Sequence, residues 1–207
     1  SMLETHQKLA GVDSNDKIPN PNVTVLEWLN GRPGFQDRVA AFGSWDVLPS
    51  ILNTGRSRIP VGTGFTPVPS PKTDRERAIN ELATDLPAYW EYGPFDAPMV
   101  YAALEALRTS KPRVLYIMLG EGDEWAHAGR YDLYLDATFR ADRFIERIWK
   151  TLQSIPEYAN QTTLLVTTDH EGGRVIMFRD GITVFPDNMA LGGAGKIDYA
   201  RQQGEIE

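Results

Sequence analysis

The sequence contains no cysteine, only three histidines and no long hydrophobic run. The lack of cysteine excludes disulfides, thiolate metal sites and cysteine nucleophiles, so histidine, carboxylate or hydroxyl groups must bind any metal. No stretch approaches the roughly 18 consecutive apolar residues of a transmembrane helix. The N-terminus lacks the basic-then-apolar pattern of a signal peptide. We therefore expect no membrane segment, while the compartment, cytoplasmic or bacterial periplasmic, stays open.

The charge balance is acidic, with 21 basic and 28 acidic residues and a formal net charge of −7. Because no cluster of lysine and arginine could follow a phosphate backbone, nucleic acid is not an expected partner. The 207 residues, 42% of them hydrophobic, are enough for one domain with a sizeable core. We expect residues 1–207 to form a single domain with a loop at 1–22 and a less regular tail at 175–207.

Two apolar runs separated by a long helical pattern predict an α/β fold. The runs are RVLYIML at residues 113–119 and TTLLVTT at 162–168, and a helix is predicted between them over 131–153. A strand, a long helix and a second strand form a βαβ crossover, which requires parallel strands. The first run is almost continuously apolar, as is typical of strands buried on both faces. The sequence therefore predicts a mostly parallel sheet sandwiched by helices.

Weaker patterns predict the remaining elements. A short helix is expected after the strand at 38–46, with Pro49 interrupting it. Thr73 is expected to cap the helix that begins directly after Thr73. A hairpin is predicted around Arg179-Asp180-Gly181. The other expected elements are helices at 23–30, 74–90 and 97–110, and a long irregular loop at 54–72.

Potential metal ligands follow both of the predicted parallel strands. Asp123 and His127 come after the first strand, and Asp169 and His170 come after the second. The carboxyl ends of parallel strands meet at one sheet edge, so the two loops can build one site. Carboxylate and imidazole groups suit zinc, with manganese as the alternative. The sequence therefore predicts a divalent metal site, and Asp123 and His127 would share a helix face if their loop begins a helix.

The stretch from Gly120 to Gly173 resembles the metal-binding core of the alkaline phosphatase superfamily, especially its type I phosphodiesterase and sulfatase-like branches. The resemblance rests on D-x-x-x-H, on Gly129-Arg130-Tyr131, on the long helix and on T-T-x-x-x-x-T-D-H followed by a glycine pair. It implies a doubly wound sheet and a metal-dependent hydrolase of small phosphate or sulfate esters. Asp123 and His127 would bind one metal, and Asp169 and His170 the other.

The chain departs from that family in ways that limit the implied activity. The family's Ser or Thr nucleophile and first metal aspartate have no counterpart here, so no catalytic residue is assigned. Residues 175–207 also lack the third histidine expected there. The resemblance thus implies a truncated, weakly active hydrolase. The alternatives are a non-catalytic metal- or anion-binding assembly domain, or a metal-dependent mutase. The missing first strand would expose a sheet edge, which a homodimer would cover.

Overall fold

The structure, a computed structural model, describes residues 16–91 and 95–167 and the two strands at 174–178 and 181–185. Contacts divide the chain into two compact units, Ser1–Pro156 and Glu157–Glu207. The first unit contains a three-stranded parallel sheet with helices, which confirms the predicted α/β class. Among the described residues, no helix has both the length and the apolar character needed to span a membrane.

The helices and strands follow in chain order. Those of the first unit are α1 (Val25–Asn30), β1 (Val39–Gly43), α2 (Leu48–Ile51), α3 (Thr54–Ser57), β2 (Val61–Thr63), α4 (Asp74–Asp85), α5 (Asp96–Thr109), β3 (Val114–Met118), α6 (Glu121–His127) and α7 (Tyr131–Ser154). The second unit contains β4 (Arg174–Phe178) and β5 (Gly181–Phe185). These two strands pair antiparallel with Phe178 opposite Gly181, which confirms the predicted hairpin.

The parallel sheet has the strand order β2-β1-β3, so β1 lies at its centre. Ala41 of β1 is in register with Val61 on one side and Tyr116 on the other. The chain therefore passes from β2 across β1 to reach β3. That reversal of strand order creates a topological switch point at the carboxyl ends of β1 and β3, the place where open α/β sheets bind ligands.

Successive side chains of β1 pack into two separate cores, one on each face of the sheet. Val39 and Ala41 lie in a cluster with residues of α1, α2 and β2, which include Leu26, Leu48 and Val61. Ala40 and Phe42 lie in a second cluster with residues of α4 and α5, which include Ile79 and Met99. Helices therefore cover both faces of the sheet, as expected. Each fully buried large side chain contributes about 1.5–3 kcal/mol.

Capping fixes the start of α4 where the sequence predicts it. The Thr73 hydroxyl accepts from the Glu76 N–H at 3.1 Å, and the Glu76 carboxylate accepts from the Thr73 N–H at 2.9 Å. This reciprocal pair is a capping box. The helix ends at Asp85 and does not reach residue 90, because Pro87 disfavours helical conformation at the residue before it. The predicted helices at 97–110 and 131–153 are confirmed as α5 and α7, within one residue at each end.

Two predictions for the segment after β1 are wrong. Residues 54–72 are not one irregular loop, since they contain α3 and β2. Ile59 and Val61 are buried there, but a strand of three residues is too short to show a period of two. Pro49 does not interrupt α2, because it stands in the first turn, where a missing N–H costs no helical hydrogen bond.

The second predicted parallel strand is also absent. Residues 162–167 have no regular structure, so the βαβ crossover built on TTLLVTT is wrong for the part of that run that the structure describes. Its threonine and valine residues favour strands only where a neighbouring strand and packing support them. Within the described residues β3 pairs with β1 alone and is an edge strand. Tyr116 is 39% exposed, so the prediction of a strand buried on both faces is wrong as well.

Candidate functional site

The carboxyl ends of β1 and β3 are in close contact at the switch point. Ser44 follows β1, and its backbone N–H donates to the carbonyl oxygen of Met118 at 3.3 Å. Gly120 follows β3 and lies against the Ser44 side chain, because a Cβ added to it would be 2.7 Å from the Ser44 Oγ. The glycine therefore lets the two strand ends approach each other.

Two carboxylates, Asp96 and Glu121, connect this edge to the helices around it. Each is the first residue of its helix, α5 and α6 respectively. The N–H groups of Gly120 and Glu121 donate to Oδ1 and Oδ2 of Asp96 at 2.8 and 3.3 Å. In return, the Asp96 N–H donates to Oε1 of Glu121 at 2.8 Å. Each carboxylate thus caps the other helix, where free N–H groups and the helix dipole favour an anion.

Both carboxylates are buried, and Glu121 has Arg140 as an ion-pair partner. Asp96 is 3% exposed and Glu121 is 2% exposed. Arg140 of α7 forms a salt bridge with Glu121 and also pairs with Asp136. Burial, and then the charge of Glu121, raise the pKa of Asp96 to about 7 against the lowering effect of the hydrogen bonds. A substantial fraction of Asp96 is therefore protonated at neutral pH.

The Ser44 hydroxyl completes this buried cluster. It is 2% exposed, and its contact with Asp96 lowers the pKa of that carboxyl. Within the described part of the chain it has no partner with full hydrogen-bond geometry. Because these side chains are shielded from solvent, they cannot contact a substrate. Their hydrogen bonds join the start of α5 to the start of α6 at the switch point.

The exposed face of α6 carries the first half of the predicted metal site. Asp123 Oδ2 and His127 Nε2 are 3.4 Å apart, and their side chains are 52% and 72% exposed. The predicted i, i+4 arrangement on one helix face is therefore present. The pKa of Glu124, between them, is raised by burial and by the charge of Asp123. The separation of the Asp123 and His127 ligand atoms would let both approach a single divalent cation.

The second half of that site, Asp169 and His170, lies outside the described residues. Over the ranges that the structure describes, no group of three or more His, Cys, Asp or Glu side chains is arranged to hold a metal. The four-residue metal site consequently stays a prediction.

Aromatic side chains pack beside α6. Trp125 of α6 makes an edge contact with Trp90 at 4.7 Å between ring centroids, and Phe95 and Tyr89 extend the group. The Trp125 Nε1 is buried and has no hydrogen-bond partner among the described residues. Tyr89 is 64% exposed, so one edge of this aromatic group faces solvent. Trp90 therefore packs against other rings, and the sequence did not indicate its pairing with Trp125.

Sequence reasoning also missed the buried cluster itself. It singled out neither Asp96 nor Glu121. A signal existed for Glu121, because an acidic residue that directly follows a predicted strand lies at the carboxyl edge of the sheet. The pairing with Asp96 has no sequence signal, since 24 residues separate Asp96 from Gly120.

One family model matches this chain, the Glycosyl hydrolase family 3 N terminal domain, over residues 141–207. No curated protein and no solved structure matches it. The matched segment is about the last third of the chain. It begins within α7 and includes residues 162–167 and the β4–β5 hairpin.

This match overturns the resemblance to the alkaline phosphatase superfamily. The T-T-x-x-x-x-T-D-H stretch on which that resemblance rested lies inside the matched segment, and its described part is not a strand. The assignment to that superfamily is therefore wrong, together with the phosphate- or sulfate-ester hydrolysis and the sulfatase-like and phosphodiesterase activities drawn from it. The match favours neither the non-catalytic alternative nor the mutase.

Proposed function

We propose that the protein acts on glycosidic bonds, as a glycoside hydrolase or as part of one. The observation that carries this proposal is the match of residues 141–207 to the Glycosyl hydrolase family 3 N terminal domain. Glycoside hydrolysis generally uses two carboxyl groups on opposite sides of the scissile bond. One protonates the leaving oxygen, and the other attacks the sugar or activates a water molecule.

The buried pair Asp96 and Glu121 is a poor choice for these two carboxyl groups. Both are shielded from solvent, and both accept hydrogen bonds from backbone N–H groups. Within the matched segment, Glu146 is exposed and pairs with Lys150, which lowers its pKa. A carboxylate held ionised in this way cannot serve as the proton donor.

Asp169 and Glu171 are therefore the carboxyl groups to test first. They stand directly before the pair Gly172-Gly173 within the matched segment. Glycine lets a backbone approach a ligand closely, so acids beside it are good candidates for contact with a sugar.

The test is turnover of a panel of nitrophenyl glycosides, with glucosides, xylosides and N-acetylglucosaminides in both anomers. We expect release of nitrophenol from at least one of them. Asp169→Asn and Glu171→Gln should each lower kcat by roughly 100-fold or more, because each removes a proton-transfer or nucleophilic group. The matched control, Glu146→Gln, should leave kcat unchanged. The proposal fails if no glycoside is cleaved and no corresponding free sugar raises the melting temperature.

A divalent metal at Asp123 and His127 is a separate proposal, favoured by the 3.4 Å spacing of their ligand atoms. The two-carboxylate mechanism does not require a metal. The two proposals can therefore be tested independently.

A further inference from the structure

The carboxyl-terminal half of α7 forms an open groove with an excess of positive charge. The cavity there has a volume of about 370 Å³, which is within the usual range for small-molecule sites. The described residues that line it are Arg143, Glu146, Arg147, Lys150, Thr151 and Ser154. Three cations and one carboxylate leave an excess of positive charge, although the whole chain carries a net charge of −7. The groove is therefore a local attractor for anions in an acidic protein.

The excess charge resides on two guanidinium groups, Arg143 and Arg147. Lys150 pairs with Glu146 one turn away, so that pair is neutral. Within the part of the chain that the structure describes, neither Arg143 nor Arg147 makes an ion pair, whereas Arg140 has two carboxylate partners. A guanidinium without a carboxylate partner keeps its planar set of donors for a carboxylate supplied by a ligand.

The Arg147 guanidinium is held in place without losing its charge. Its Nη1 donates to the hydroxyl of Tyr101 on α5, and its Cζ lies 5.2 Å from the centre of the Tyr101 ring. Both contacts are with a neutral side chain, so they orient the guanidinium and leave its charge available. A side chain that is already ordered loses less conformational entropy when a ligand binds.

Two hydroxyl groups lie beside the guanidinium groups. Thr151 follows Arg147 at the same four-residue spacing that separates Arg147 from Arg143, so the three side chains form one row along the helix. Thr151 is only 7% exposed, and it lines the groove. The Ser154 hydroxyl donates to the Thr151 carbonyl oxygen at 2.7 Å, so its own oxygen can still accept. The groove thus offers neutral hydroxyl groups next to charged donors.

We propose that this groove binds an acidic sugar, in which a carboxylate stands beside hydroxyl groups. The carboxylate accepts from Arg143 and Arg147, because the guanidinium fork matches its two oxygens. The sugar hydroxyls bond to Thr151 and Ser154, which a simple anion would leave unused. The groove lies within residues 141–207, the matched segment. The choice of a sugar rests on the proposed function, whereas the positive charge of the groove does not.

A nuclear magnetic resonance titration of the full chain tests this groove. The probes are a galacturonate trimer, the neutral galactose trimer and acetate, at matched ionic strength. We expect the galacturonate trimer to shift the amide signals of Thr151 and Ser154 and to bind at least roughly 10-fold more tightly than the galactose trimer. Arg143→Gln should weaken galacturonate binding by roughly 10-fold or more, as loss of a charge-assisted hydrogen bond should. Arg77→Gln removes an exposed arginine from α4 and is the matched control, which should bind like the unchanged protein.

Thr151→Val separates an acidic sugar from a simple anion. The substitution removes the hydroxyl and keeps the branched shape of the side chain. Galacturonate binding should therefore weaken by a few-fold, while acetate binding should not change. Melting temperatures of the variants check that each one folds, and the exposed position of Arg143 makes its substitution the safer of the two for the fold.

Three results would overturn the proposal. They are equal affinity for the two trimers, an equal loss of affinity in Arg143→Gln and Arg77→Gln, and acetate binding as tight as that of the galacturonate trimer. Binding is measured without any need for hydrolysis, so the two proposals fail separately. Galacturonate binding without turnover of any nitrophenyl glycoside would reject the proposed function alone. Turnover of a neutral glycoside without galacturonate binding would reject the groove alone.

Discussion

The global stability of the protein should fall between pH 5 and pH 8 because of Asp96. Its pKa rises from 3.8 in an exposed chain to about 7 in the fold, a difference of about 3 units. Each unit corresponds to about 1.4 kcal/mol, so the full effect is about 4 kcal/mol. Because the folded state binds the extra proton, the contribution of Asp96 to stability is greatest below pH 4 and is lost as the pH rises through about 7. Between pH 5 and pH 8 the expected loss from Asp96 is on the order of 2–3 kcal/mol.

Urea unfolding followed by circular dichroism measures this loss directly. The unchanged protein and Asp96→Asn are each unfolded at pH 5 and at pH 8. Other titrating groups act in both proteins, so the difference between the two pH dependences isolates Asp96. We expect the unchanged protein to lose on the order of 2–3 kcal/mol more than the variant over this range. Equal pH dependence in the two proteins, within the error of extrapolation, would refute the reasoning.

Three further substitutions test the packing and capping contacts by the same urea assay. Arg140→Met should destabilise the fold by about 3–5 kcal/mol, since it leaves Glu121 buried without its cation. Thr73→Ala should cost about 1 kcal/mol because it removes one half of the capping box of α4. Gly62→Ala should cost roughly 1–3 kcal/mol or more, since the new Cβ would lie 2.1 Å from a backbone carbonyl oxygen. Gly55→Ala, where the nearest atom is 3.9 Å away, is the control and should cost less than half as much.

Helix α7 shows which part of the fold local sequence can predict. Ala137, Phe144, Ile148 and Leu152 recur at helical spacing, and all four are buried. Over 24 residues this pattern repeats enough times to define one face. The sequence did not predict elements that are short or that depend on pairing with another strand. An example is β2, which has only three residues. The run at 162–168 has strand-forming residues, but composition does not supply the neighbour that a strand needs.

The candidate sites differ in the same way. Asp123 and His127 are only four residues apart, so the sequence alone predicts that they share one face of any helix that contains both. The contact between Asp96 and Glu121 is not local, because it joins the starts of two helices on either side of β3. Neither residue is unusual at its own position, since acids are common in the first turn of a helix. Their altered charge state is created by the burial that the fold imposes.

The metal prediction and the glycosidase proposal share one residue, Asp169. The predicted metal ligands Asp169 and His170 lie within the matched segment. Two ligands bind zinc weakly, so we expect weak zinc binding at Asp123 and His127 alone. We expect His127→Ala to weaken zinc affinity at least roughly 10-fold by calorimetry, as loss of a ligand should.

Glycoside hydrolysis should be unaffected by the loss of zinc affinity in His127→Ala. A two-carboxylate mechanism needs no metal, so glycoside turnover should be unchanged after dialysis against EDTA and in His127→Ala. His6→Ala is the control for both measurements. Unaltered zinc affinity in His127→Ala would refute the predicted metal site. Loss of turnover after dialysis against EDTA would refute the metal-independent mechanism. The two results are independent, because a metal bound at α6 can exist without taking part in cleavage of a glycosidic bond.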